Sequence, residues 1–197
     1  MSRVRVPSLT LSNQPVTLRT GSPADSFPGR PPVYADAIST ARLDLLPLRV
    51  SHADEMAAVL CDPALHTFIG GSPLSPAALR LRYERLVAGS PDPSVSWCNW
   101  VLREREGSRL VGTVQATVSG TVAEIAWVVG TAWQGRGFAS EAARGLVGRL
   151  RQQPVRTVLA HIHPEHLASA AVARAAGLLP TGEEQDGEQR WRLSLPH

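Results

Sequence analysis

Residues Ala123 to Arg144 read A-E-I-A-W-V-V-G-T-A-W-Q-G-R-G-F-A-S-E-A-A-R, and a change of rhythm inside this stretch decides the fold. Ile125, Trp127 and Val129 alternate with Glu124, Ala126 and Val128, and β-branched residues close the run, as a half-buried strand requires. Gly135 and Gly137 break the alternation. From Ala139 onward, Ala142, Ala143, Leu146, Val147 and Leu150 recur at helical spacing. Strand, glycine-rich loop and helix in succession aim the loop's N–H groups outward from a helix N-terminus, and that is an anion site.

Residues Gln134 to Ala139 admit more than one reading. In the plainest, the glycines only relieve backbone strain in a strand-to-helix turn. A dinucleotide fingerprint needs G-x-G-x-x-G, but Ser140 stands at the third glycine, and the motif lies too far along a 197-residue chain to leave room for a doubly wound sheet. A phosphate loop ending in Gly-Lys-Ser/Thr is excluded, because the chain has no lysine.

Gln134-x-x-Gly137-x-Ala139, after a strand carrying A-E-I-x-W and before an alanine-rich helix, resembles the acetyl-CoA signature of the GNAT acetyltransferase superfamily. The phrases around it resemble the same family. V-R-T-V-L-A-H-I leads into His163-Pro164-Glu165-His166-Leu167-Ala168-Ser169, similar to the family's H-P-x-N-x-x-S, and the helix it opens closes at Ala176-Gly177-Leu178. Upstream, T-A-R-L-D-L-L-P-L-R, from Thr40 to Arg49, resembles the first strand of the RimJ/RimL-type branch, whose members acetylate ribosomal-protein N-termini. The resemblance covers roughly residues 40 to 196.

Composition sets outer bounds. A chain of 197 residues with 43% hydrophobic content makes one domain, or one domain and a tail. No segment approaches the roughly 18 apolar residues of a membrane span, and no apolar h-region marks a signal peptide. Cys61 and Cys98 lack metal or redox spacing and read as two reduced, half-buried thiols of a cytoplasmic protein. The net charge of +3 is too small and too scattered for nucleic acid. All 20 basic residues are arginine, so no lysine is present to act as a Schiff-base nucleophile.

Residues 1–38, rich in Pro, Ser and Gly and including P-G-R-P-P and V-T-L-R, read as an extended arm, and 39–197 as the acetyltransferase domain. The domain opens with a strand, Leu43 to Leu48, in which Pro47 points to an edge position. Ser51-x-x-Asp54 reads as a capping box for a helix burying Met56, Val59 and Leu60. Ser75-Pro76 starts a second helix, turning Leu79, Tyr83, Leu86 and Val87 inward. Strands Ser96 to Arg103 and Leu110 to Val118 make an antiparallel meander with the central strand, and Val155 to Ile162 can run parallel to it across a helical connection. A helix from Leu167 to Ala176 and a hairpin turning at Asp186-Gly187 complete the chain. The expected fold is α+β, with a mixed, mostly antiparallel sheet and flanking helices, and it agrees with the GNAT fold.

The resemblance implies a chemistry. Acetyl transfer from a thioester to an amine needs an uncharged amine, a stabilised oxyanion and a route for the thiolate to leave. Backbone N–H groups of Val128 and Val129 would hold the oxyanion and the pantetheine arm. The pyrophosphate would rest on Gln134, Gly135, Arg136, Gly137, Phe138, Ala139 and Ser140, with Arg136 adding a charge unless it is only a solvated loop arginine. Glu124 occupies the position where some GNAT enzymes hold a general base acting through water, and a strand-end surface carboxylate is the alternative. Many relatives place a Tyr on the last helix, whereas the tyrosines here are Tyr34 and Tyr83. His166 replaces the common Asn, so His166 or Ser169 would protonate the sulfur, or the thiolate would leave unassisted. His161, His163 and His166 spell H-x-H-x-x-H, yet no carboxylate or cysteine spacing completes a ligand set, and no metal is expected.

The expected activity is transfer of acetyl from acetyl-CoA to a primary amine, either a protein N-terminus or a small molecule. A non-catalytic acyl-CoA-binding module is the alternative. The expected partner is the amine acceptor, with no nucleic acid and no membrane, and a homodimer is left open. Acidic residues Glu183, Glu184, Asp186 and Glu188 in the hairpin would attract a cationic amine at long range.

Overall fold

The computed structural model describes residues 33–196. The V-T-L-R and P-G-R-P-P stretches of the expected arm lie outside the described residues. Strands β1 (Ile38–Ser39), β2 (Leu43–Pro47), β3 (Val95–Glu104), β4 (Leu110–Ser119), β5 (Val122–Val129), β6 (Thr157–Ile162), β7 (Leu179–Gln185) and β8 (Glu188–Ser194) form one eight-stranded sheet in the order β1-β2-β3-β4-β5-β6-β8-β7. Every pairing is antiparallel except that of β5 with β6. Short turns permit the antiparallel meander β3-β4-β5, while the helical crossover between β5 and β6 is what allows them to run parallel.

Among the described residues five helices flank the sheet: α1 (Ala53–Val59), the single turn α2 (His66–Ile69), α3 (Pro76–Ala88), α4 (Phe138–Leu150) and α5 (Leu167–Ala175). The pleat sends alternate side chains to opposite faces, so each face builds its own core. On one face Leu45, Trp100, Val114, Ile125, Val158 and Trp191 meet α4 and α5, with Leu146 and Ala173 fully buried between them. On the other, Val101 and Leu110 meet α1 and α3 through Met56, Leu79 and Tyr83. Each such large apolar side chain, fully buried, contributes about 1.5–3 kcal/mol. The second face is covered only in part. Beyond the reach of α1 and α3 it carries a polar group: Glu124 on β5, His161 on β6 and Arg190 on β8.

Several local expectations are corrected. Ser51 lies within a 3-10 turn, Val50–His52, and the first helix is instead entered through His52, whose Nδ1 accepts the Arg49 N–H at 3.1 Å. Leu60 is only half-buried, and Val87 is 53% exposed because α3 presents only the narrow stripe Leu79, Tyr83 and Leu86 to the sheet. Cys98 is buried and Cys61 exposed, both as free thiols, so neither is half-buried. Burial pushes the Cys98 thiol up to about 11. Pro47 sits where β2 has outrun β1, which pairs only with Asp44 and Leu45, so its missing N–H costs the ladder nothing. Glu188 is buried at 2% exposure and does not belong to the acidic surface of the hairpin.

The described end of the arm lies along the sheet. Val33 N–H donates to Ser96 Oγ at 3.1 Å, Trp100 Nε1 donates to the Asp36 carbonyl at 2.7 Å, and β1 spans the expected boundary between arm and domain. Among the described residues no helix is long and apolar enough to cross a membrane.

Candidate active site

The parallel pair β5 and β6 stays together only briefly. Val122, Ala123 and Glu124 pair with Thr157, Val158 and Leu159, and beyond them the strands part. β5 continues against β4 as far as Val129, and β6 continues against β8 as far as Ile162, so a wedge opens between two strands that are each held from outside. The wedge joins the face covered by α4 and α5 to the half-bare polar face. Val129 turns its peptide toward the opening, where its carbonyl accepts Gln134 Nε2 at 3.0 Å. The Val128 carbonyl turns the other way, close to Gly112 on β4, where an added Cβ would collide with it. Successive strand peptides point to opposite edges, which is why only Val129 of the two faces the wedge.

At the wide end the loop turns into α4. Gly135 and Gly137 have φ of 74° and 79°, a region that L side chains resist, and Gly137 is the N-cap. No side chain caps this helix, so the first-turn N–H groups of Phe138, Ala139 and Ser140 have no intrahelical acceptor. The Phe138 ring is buried at 2% exposure, leaving its backbone as its contribution to the loop. Arg136 does not stand free. Its Nη2 pairs with Glu104 Oε1 at 2.8 Å, and its guanidinium lies 4.7 Å from the centroid of the Phe138 ring.

Sequence reading missed the brace beneath this loop. Glu141, in the first turn of α4, is buried and accepts Thr40 Oγ1 at 2.6 Å, Arg42 N at 2.7 Å and Arg42 Nε at 2.7 Å. Desolvation works to raise its pKa, but these hydrogen bonds outweigh it and hold the carboxylate below its ordinary range. Arg42 then donates from Nη1 to the Arg136 carbonyl at 2.9 Å. The phrase T-A-R-L thus ties the first strand of the domain to the glycine loop. Its arginine was legible as part of a strand signature, but its partner lies 99 residues away.

At the narrow end Glu124 Oε1 lies 2.9 Å from His161 Nδ1, with the two side chains 25% and 11% exposed. Arg190 Nε approaches His161 Nε2 at 3.4 Å, and the same guanidinium pairs with Glu183 and reaches Gln185 Oε1. Glu124 is therefore a paired carboxylate on the polar face and not a solvated strand end.

His166 is the N-cap of α5, its Nδ1 accepting the Ser169 N–H at 3.1 Å and its Nε2 lying 3.4 Å from Ser169 Oγ. Burial holds its pKa below the usual histidine value. Its ring rests 4.1 Å from that of Phe68 on α2, so the segment between α1 and α3 reaches across to the start of α5. The four-residue α2 was too short for a periodic signal. His163 Nδ1 accepts the Glu165 N–H at 3.2 Å. Among the described residues no three His, Cys, Asp or Glu side chains gather as metal ligands.

A mixed sheet with a parted parallel pair, and an uncapped helix N-terminus at the mouth of the parting, make a cleft suited to an extended ligand with an anion at one end. The model of the acetyltransferase (GNAT) domain matches residues 42–179, so the chain belongs to the GNAT family and is an acetyltransferase. No curated protein matches it in sequence. Among solved structures, a GNAT-family acetyltransferase from Bacillus anthracis is 17% identical, with a TM-score of 0.69 over 81% of this chain and 98% of that one. An acetyltransferase from Salmonella typhimurium that modifies the N-terminal serine of ribosomal protein L7/L12 is 15% identical, with a TM-score of 0.68 over 82% and 100%. The aminoglycoside acetyltransferase AAC(6')-Ib in complex with coenzyme A is 18% identical, with a TM-score of 0.64 over 77% and 94%. These likenesses concern the fold.

Proposed function

We propose that the protein transfers acetyl from acetyl-CoA to a primary amine. The observation that carries this reading is the parting of β5 and β6 after Glu124 and Leu159, with the glycine loop at one end and a paired carboxylate at the other. Pyrophosphate would accept from the N–H groups of residues 135–140, where Arg136 and Arg42 are already matched by Glu104 and Glu141. Backbone dipoles rather than net charge would then hold the anion. The pantetheine arm would enter the wedge and add the hydrogen bonds that β6 no longer makes. The Val129 N–H would stabilise the oxyanion, while Val128 would line the wedge through its side chain.

The acceptor would come from the polar face, where Glu124 is the carboxylate that serves removal of the amine's proton, through water or through the His161 ring bonded to it. Most alkylammonium groups have pKa values near 10, so about one amine in a thousand is nucleophilic at pH 7 without such help. Removal of the proton is worth about 100-fold to 10,000-fold. At the sulfur, His166 stabilises more than it protonates. Its Nδ1 lone pair is used by Ser169 N–H, so its hydrogen sits on Nε2, from which a neutral ring offers a hydrogen bond to the thiolate directly or by way of Ser169 Oγ. A thiol with a pKa near 8.5 leaves without full protonation.

The phrase T-A-R-L-D-L-L and the likeness to the L7/L12-modifying fold favour a protein N-terminus as acceptor, in the manner of the RimJ/RimL-type branch. The likeness to the aminoglycoside enzyme keeps a small amine as the second reading. The test is an amine panel of N-terminal peptides and aminoglycosides, read by release of free CoA thiol. Glu124→Gln keeps the side-chain size. With a basic amine it should lower turnover at pH 7, recover as pH rises, and leave acetyl-CoA affinity unchanged. Binding of acetyl-CoA with no thiol release from any amine would leave only an acyl-CoA-binding module.

A further inference from the structure

Resting on that reading, we propose that His161 is the side chain that takes the proton from the acceptor's ammonium, that Glu124 positions and charge-matches it, and that Arg190 occupies the ammonium's place at rest. An arginine can only donate, so the approach of Arg190 Nε to His161 Nε2 at 3.4 Å makes Nε2 the nitrogen with the lone pair. The hydrogen of the neutral ring is then on Nδ1, where it donates to Glu124 Oε1 at 2.9 Å. A carboxylate that fixes the tautomer of a histidine, leaving the far nitrogen open toward substrate, is how enzymes build a histidine base. Register provides the meeting. Glu124 is the last residue of β5 paired with β6, and His161 stands two residues past its partner Leu159, on the same face and at the start of the parted segment.

The charged groups around this ring come from three strands. Glu124 is on β5, Arg190 on β8 and Glu183 on β7, where Glu183 pairs with Arg190 and Gln185 Oε1 lies 3.4 Å from Arg190 Nη2. A cation that donates N–H groups therefore already sits among an imidazole nitrogen, a carboxylate and an amide oxygen. An alkylammonium has the same charge and the same donors. It would replace the guanidinium at that place.

The step balances simply. One N–H bond of the ammonium breaks and its proton binds His161 Nε2, leaving an imidazolium paired with the Glu124 carboxylate. The freed nitrogen pair attacks the thioester carbon. Collapse of the oxyanion breaks the C–S bond and releases CoA thiolate. The amide nitrogen's remaining excess proton and the imidazolium proton pass to the thiolate and to solvent.

His161→Asn separates this role from a structural one, because its amide can still donate to Glu124 while offering no basic lone pair. With a cationic amine at pH 7, His161→Asn should lower kcat about 100-fold to 10,000-fold, with the amine KM within a few-fold of wild type. Part of the loss should return as pH rises. His161→Ala should be partly rescued by added imidazole, and Arg190→Gln, which uncovers Nε2, should raise kcat/KM for the amine. Acetyl-CoA should still raise the melting temperature of each variant, which shows that it is folded. Wild-type kcat in His161→Asn would overturn the proposal, as would a loss without recovery at high pH and without imidazole rescue. If the wild-type protein itself released no thiol with any amine, the acetyl-transfer reading would fail first, before His161 is reached.

Discussion

Replacing Glu141 with Gln should loosen the glycine loop while leaving every loop residue in place. The carboxylate has two distinct ends. Oε1 accepts Thr40 Oγ1 and Arg42 N, and Oε2 accepts Arg42 Nε at 2.7 Å. A glutamine can keep its oxygen at the first position, but its NH₂ then faces the Arg42 Nε–H, donor against donor. A hydrogen bond to a charged group is worth about 1.5–3 kcal/mol. Arg42 is half exposed, with its side chain at 51%, so screening brings the expected loss to the lower part of that range, about 2 kcal/mol. For a domain of this size that corresponds to a fall of roughly 4–8 °C in Tm. The folded-state pKa of Glu141 lies below its unfolded value, so its contribution is present above the unfolded pKa and is lost as pH falls through the folded one. The gap between wild type and variant should therefore be full at pH 7 and close in acid. Because Arg42 also holds the Arg136 carbonyl, acetyl-CoA affinity should drop as well, by about tenfold for each 1.4 kcal/mol of lost loop order. Thermal melts across pH, with calorimetric titration of acetyl-CoA, measure both effects. A variant that melts within a degree of wild type at pH 7, or a gap that persists at acid pH, would refute the brace.

Arg82 on α3 has Nε and Nη2 buried with no hydrogen-bond partner, and burial pulls its pKa down to about 10. That fall corresponds to roughly 3 kcal/mol against the charged form at neutral pH, an upper bound on what Arg82→Met can recover. The variant should melt higher by several degrees, and the wild-type protein should gain stability relative to it as pH rises past 10; a destabilised variant means that Arg82 has a role that the buried atoms do not show. Gly137→Val places a β-branched side chain at φ of 79°, beside Arg42 Nη2 and over the first-turn N–H groups. It should abolish the rise in melting temperature caused by acetyl-CoA, which at about 100 times its dissociation constant would be worth about 2.7 kcal/mol, while a retained rise would remove the loop from the binding site.

What the sequence made legible and what it hid divide along one line: the length of chain over which a residue's environment is determined. The shift from alternation to helical spacing across Gly135 and Gly137 is local, and β5, the loop and α4 appear where that rhythm places them. The parallel partnership of β5 and β6 was legible too, because a helix between two strands leaves room for the crossover. Val87 failed because a stripe of apolar residues gives a direction but not a width, and the sheet meets only the centre of it. Arg82 lies on the other side of that same stripe, where burial reaches a charged side chain that periodicity does not single out. The site's polar pairs were hidden for a stronger reason. Glu124 meets His161 only because β5 and β6 share a particular register, Arg190 joins them only because β8 pairs with the far side of β6, and neither register is written in residue spacing. A slip of two residues that set Glu124 opposite Thr157 would keep every side chain on its own face and satisfy the same alternation of apolar residues, yet it would carry His161 out of reach of Glu124. The alternation tolerates that slip and the dyad does not. Register in this stretch is thus under two separate constraints, and the second is the one that a reading of composition and periodicity cannot reach.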